Sequence, residues 1–116
     1  MASNGTLKVA VIEGWHPFEV PQWHDFWRGM EGIDYYPQFI ENWAFDCAQN
    51  RSTFYDCLVF YNMNQKLEGN DFREQVLAAI DQLGETSQGI FMLHHAVLAY
   101  PDHETWSQMV GIGDLR

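Results

Sequence analysis

The sequence predicts an α/β fold with a parallel sheet. Three observations carry that reading. Three short runs are almost wholly apolar: Leu7 to Ile12, Cys57 to Tyr61 and Gly89 to Leu93. Strands of that kind are buried on both faces, as in parallel sheets. Amphipathic helical stretches alternate with them. The length of 116 residues, with 47% apolar composition, fits one domain with a modest core.

The elements follow in chain order. Leu7 to Ile12 (LKVAVI) opens as the first strand. Pro21 then starts a helix, because its missing N–H is harmless in a first turn. Trp23, Phe26, Trp27 and Met30 fall at i, i+3, i+4 and i+7, which is one helix face. Gly32 suits the stop. Ile33 to Pro37 alternates weakly and holds a proline, so it reads as an edge strand. Residues 41–55 are polar and aromatic without a clear period, and read as a long connection with room for a short helix. Cys57 to Tyr61 is the next buried strand. Asp71 to Leu83 is the cleanest helix, with Phe72, Val76, Ala79, Ile80 and Leu83 on one face. Asp71 with Glu74 suits a capping box and Gly84 the stop. Gly89 to Leu93 is the fourth strand, and residues 104–110 form a short last helix around Trp106, Met109 and Val110. The order is βαβ(x)βαβ(α), without repeats or linkers.

Charge narrows the partners. Six Lys and Arg against 16 Asp and Glu leave a net charge of −10 and a pI near 4.6. That balance excludes nucleic acid, whose phosphates need a Lys/Arg surplus. It also excludes an anionic membrane surface. The N-terminus is polar and lacks a secretory pattern, and no apolar run is long enough to span a bilayer. Two cysteines, Cys47 and Cys57, make no disulfide scaffold. A reduced, cytoplasmic protein is the expectation.

Ligands in open parallel sheets bind beyond the carboxyl ends of the strands. The first strand is followed by Glu13-Gly14-Trp15-His16-Pro17, the third by Asn62 and the fourth by His94-His95. His24 sits near the start of the helix after the first strand, and His103 follows the fourth strand. All five histidines therefore fall toward one edge, which favours a site with a titratable group near neutral pH. His94, His95, His24 and His16 are the candidates, against structural or turn histidines. Asn62 is a candidate donor to a ligand oxygen, or a group that satisfies its own loop. Trp15 is the tryptophan placed to stack on a sugar face, with Trp23, Trp27, Trp43 and Trp106 read as core. Glu13 reads as a solvated loop residue, or as an acid/base if burial raises its pKa. Cys57 reads as core packing, and His103 with Glu104 as a surface run.

Phosphate loops, H-E-x-x-H and C-x-x-C are absent, so no cofactor or metal is implied. Gly89 to Ala96 has the outline of a nucleophile elbow, yet no Ser or Cys occupies it. A covalent Ser or Cys hydrolase is disfavoured, and a histidine there would act as acid or base.

Three blocks together resemble the trehalose-utilisation (ThuA-like) family: Val11 to His24, Tyr55 to Met63 and Leu83 to Ala96, with Trp106 to Ile112 continuing the pattern. The resemblance implies a flavodoxin-like three-layer fold with strand order 2-1-3-4, related to class I glutamine amidotransferases. It implies a role in metabolism of trehalose or related disaccharides through keto-sugar intermediates. Its site positions would be Gly14, His24, Asn62, His94 and His95. Glu13 departs from the family, which would carry a glycine there. The family domain is also longer, so residues 1–116 would be one such domain, incomplete at its C-terminus. The fourth strand would then be an exposed apolar edge, which invites self-association. Three readings stay open: a sugar-processing enzyme, a non-catalytic sugar- or partner-binding module, and an inactive fragment.

Overall fold

The computed structural model describes residues 6–14, 17–49, 51–62, 73–93, 96, 99–100 and 103–110, with only the backbone at 52 and 73. Its elements are β1 (Leu7–Gly14), α1 (Val20–Arg28), β2 (Ile33–Phe39), α2 (Ile40–Ala48), β3 (Cys57–Asn62), α3 (Arg73–Gln82), β4 (Gly89–Met92) and α4 (Glu104–Val110). The four strands form one sheet in the order β2-β1-β3-β4, and every pairing is parallel. This is the flavodoxin-like α/β arrangement, with β1 and β3 inside and β2 and β4 at the edges.

Alternation along the strands builds two cores of unequal size. On one face Ala10 and Ile12 of β1, with Leu58 and Phe60 of β3, meet α2, α3 and α4. Trp43, Phe60 and Trp106 anchor this side, each fully buried. The rings of Trp43 and Trp106 stand edge-on to Phe60, at 5.5 and 5.0 Å between centroids. On the other face Val9, Val11 and Val59 meet only Trp27 of α1 among fully buried neighbours. Among the described residues, three helices cover one face and α1 alone covers the other.

Segment 41–55 is not a long connection. Residues 40–48 form α2, and Ile40, Trp43, Ala44 and Cys47 are its buried face. Those residues stand at i, i+3, i+4 and i+7, a helical period that exposed Phe39, Phe45 and Phe54 obscure in the sequence.

Glycine assignments at two helix ends also change. Helix α1 stops at Arg28 with Gly29 as its cap. Gly32 instead makes the turn into β2, at φ +79, and its carbonyl accepts the Leu7 N–H at 2.8 Å. Helix α3 tightens into a 3₁₀ turn over Leu83–Glu85 that contains Gly84. The Leu83 carbonyl accepts the Thr86 N–H, so the chain turns off without a left-handed glycine. The Asp71–Glu74 capping box lies partly outside the described residues. Pro37 sits in edge strand β2, opposite Val11, where a proline is tolerated.

Candidate functional site

The chain leaves β1 for β2 on one side and reaches β3 on the other. The reversal lies between β1 and β3, where crevices open beyond the strand ends. Their last paired residues are Glu13 opposite Tyr61 and Gly14 opposite Asn62. Side chains alternate, so Glu13 and Tyr61 share the α1 face, and Asn62 lies on the other.

Trp23 of α1 lies over Glu13 and Tyr61. Its indole Nε1–H donates to Glu13 Oε2 at 2.6 Å. Its ring stacks on Tyr61, with centroids 4.1 Å apart and planes 19° apart. Phe26 lies nearly parallel to Trp23 at 6.0 Å, and Phe18 stands edge-on to both Trp23 and Tyr61. Phe18, Glu19, Gln22, Trp23, Phe26 and Tyr61 line a crevice of about 300 Å³ with Leu93. Aromatic faces beside amide and carboxylate groups suit a ligand with both C–H faces and hydroxyls.

Glu13 is 8% exposed, so it is a buried carboxyl and not a solvated loop residue. Burial raises its pKa above the ordinary value of 4.5. The Trp23 hydrogen bond and the nearby His24 oppose that rise without cancelling it. His24, one residue along α1, is half-buried, and its Nδ1 lies 3.4 Å from the Tyr35 hydroxyl of β2. The α1 face thus gathers Glu13, Trp23, His24, Tyr35 and Tyr61.

Asn62 and Gly14 occupy a different setting. Asn62 is fully buried, and its Nδ2 donates to the Tyr100 hydroxyl at 3.3 Å. Tyr100 has a left-handed backbone at φ +45, which is strained for a tyrosine. Burial pushes its phenol far above the usual range. Gly14 ends β1 at φ +125, and a Cβ there would meet Phe39 at 3.2 Å. Glycine is what allows the chain to leave the strand there. Trp15, His16, His94 and His95 lie outside the described residues. The residues that precede them are placed: Gly14 ends β1, and the Leu93 N–H still bonds the Phe60 carbonyl at 2.9 Å.

His103 does not join this edge. Its Nε2 is 2.9 Å from Asp81 Oδ1, which also accepts from the Thr105 hydroxyl at 2.6 Å. Helix α3 runs back against the strands, so Asp81 in its last turn lies toward their amino ends. These contacts hold Asp81 below the usual carboxylate range, the Thr105 hydroxyl first and His103 after it. His103 is therefore a tie between α3 and α4.

Trp23 is the crevice-lining aromatic that the sequence hid among core tryptophans. Trp27, Trp43 and Trp106 are core, at 5% exposure or less, and Trp23 is half-buried. The usable signal was its place in the first turns of the helix after β1, an edge-facing position.

A second depression lies further down the α1 face. Val9, Trp27, Ile33, Val59, Phe91 and Leu93 are among its walls, and it encloses about 340 Å³. Cys57 is half-buried against it and packs on the smaller core, as its place in a strand predicts. Phe91 and Leu93 of the β4 side are 55% and 36% exposed. Among the described residues no group of three or more His, Cys, Asp or Glu is placed to hold a metal ion. No helix among them is long and apolar enough to cross a membrane.

No family model, curated protein or solved structure matches the chain.

Proposed function

We propose that this protein handles a small carbohydrate at the carboxyl edge of β1 and β3, in the manner of the ThuA-like domains its sequence resembles. The observation that carries the reading is the crevice walled by Trp23, Tyr61 and Phe18, with Gln22 and Glu19 at its rim. Aromatic walls suit the C–H face of a pyranose, and the rim groups suit its hydroxyls. His24, with His94 and His95, supplies acid/base chemistry on a keto-sugar or disaccharide, Gly14, Trp15 and His16 form the binding edge, and Asn62, buried on the opposite face, supports the end of β3 behind it through Tyr100. The reaction is one of the cytoplasm. Saturation-transfer NMR with trehalose and glucose tests this. Transfer to ring C–H protons, lost in Trp23→Ala, supports the reading. No transfer from either sugar overturns it.

A second reading, a partner-binding module, is favoured by one observation. Gly89 and Leu93 turn their N–H groups inward to the Asp56 and Phe60 carbonyls. The backbone groups of Ile90 and Met92 therefore face the outer edge of β4, which no strand covers among the described residues. Beside that edge lies the apolar depression. A second copy adding its own β4 would satisfy both.

A further inference from the structure

We infer that Glu13 is a positioning residue whose ionisation sets the affinity of the crevice for its ligand through Trp23. The inference rests on the carbohydrate reading and extends it to regulation by pH. The geometry is a chain of two contacts. Glu13 Oε2 holds the Trp23 indole N–H at 2.6 Å. The same indole is a wall of the crevice and stacks at 4.1 Å on Tyr61, the other wall. Glu13 and Tyr61 are themselves cross-strand neighbours, so both supports of the Trp23 ring come from strand ends at one level.

A carboxylate accepts a shorter and stronger hydrogen bond than a neutral carboxyl. Ionised Glu13 therefore fixes the indole plane, and protonated Glu13 loosens it. The Trp23 contact is thus a direct polar restraint on the Glu13 carboxyl. Among the described residues, the titratable groups facing it are His24 of α1 and Tyr61 of β3, with Glu19 on the same crevice and Tyr35 of β2 beside His24. His24 favours the ionised form. Burial opposes it and moves the transition up from the ordinary carboxylate range.

The experiment follows the Trp23 indole Nε1–H and the Glu13 side-chain carboxyl by NMR from pH 4 to 8. It is run without sugar and then with trehalose or glucose as the probe. Without sugar, the two signals titrate together, and Glu13→Gln leaves the indole resonance independent of pH. With sugar, affinity falls about tenfold as pH drops through that transition, the loss of one good hydrogen bond's worth of ordering. Glu13→Gln, whose amide oxygen still accepts from Trp23, binds with intermediate affinity and no slope. Trp23→Phe keeps a stacking ring and loses the slope. Sugar binding without a pH slope overturns the inference and leaves the carbohydrate reading in place. Affinity that rises as pH falls overturns it too, because Glu13 would then donate directly to the ligand. An absence of sugar binding at every pH overturns both.

Discussion

Replacing Glu13 with glutamine stabilises the protein at neutral pH. Glu13 is 8% exposed, and its folded carboxyl holds a proton more tightly than the ordinary value of 4.5, through burial. A folded group with a raised pKa contributes most below the unfolded value. Its contribution is lost as pH rises through the folded value. The Glu13 contribution to wild-type stability should therefore decline above pH 4.5 and level off once folded Glu13 is ionised. Each tenfold gain in proton affinity is worth about 1.4 kcal/mol, or roughly 6 °C in Tm for a domain of this size. The side chain introduced by Glu13→Gln does not titrate, and its amide oxygen keeps a neutral bond to Trp23 Nε1 worth about 1 kcal/mol. The advantage of Glu13→Gln over wild type should thus be smallest at pH 4 and grow toward pH 7.5. Urea denaturation followed by far-UV circular dichroism at pH 4, 5.5 and 7.5 reads it directly. A difference that stays constant within about 0.3 kcal/mol, the ordinary limit of such comparisons, would refute the assignment of Glu13 as a desolvated acid.

Further outcomes follow from the same geometry. Gly14→Ala meets a left-handed φ of +125 and the Phe39 ring at once, so it should lose about 1–3 kcal/mol in chemical denaturation. Cys47 is buried, and burial with Asp46 nearby pushes its thiol up to about 12. Native protein at pH 8 should titrate with a thiol reagent only at Cys57, and Cys47 should react on unfolding. Phe91→Lys places a charge on the exposed edge strand. It should abolish concentration-dependent association in sedimentation, which screening of the −10 charge by salt should otherwise promote.

The fold was largely legible because strands buried on both faces leave near-continuous apolar runs. Val9 to Ile12, Leu58 to Phe60 and the helix around Val76 and Ile80 announce their burial by composition and period. Helix α2 was hidden for a physical reason. Its apolar face of Ile40, Trp43, Ala44 and Cys47 is interleaved with Phe45 and flanked by Phe39 and Phe54, all exposed, which blurs the contrast between faces. The edge at which the candidate crevice opens could be read from strand ends alone. Its occupants were not, because a carboxyl's burial depends on what folds over it. Trp23 comes from another element and turns Glu13 from a loop acid into a held one. His103 shows the reverse: near a strand end in sequence, it is drawn to Asp81 by a helix running back across the sheet.

The most direct test of the carbohydrate site is a titration of trehalose into ¹⁵N-labelled protein at pH 7.5. The reporter is the Trp23 indole cross-peak, assigned by its loss in Trp23→Phe. This peak is expected to move saturably with the backbone peaks of Gln22 and Tyr61, while the indoles of Trp43 and Trp106 stay fixed. A Trp23 indole that does not move at any trehalose or glucose concentration would contradict the proposed site.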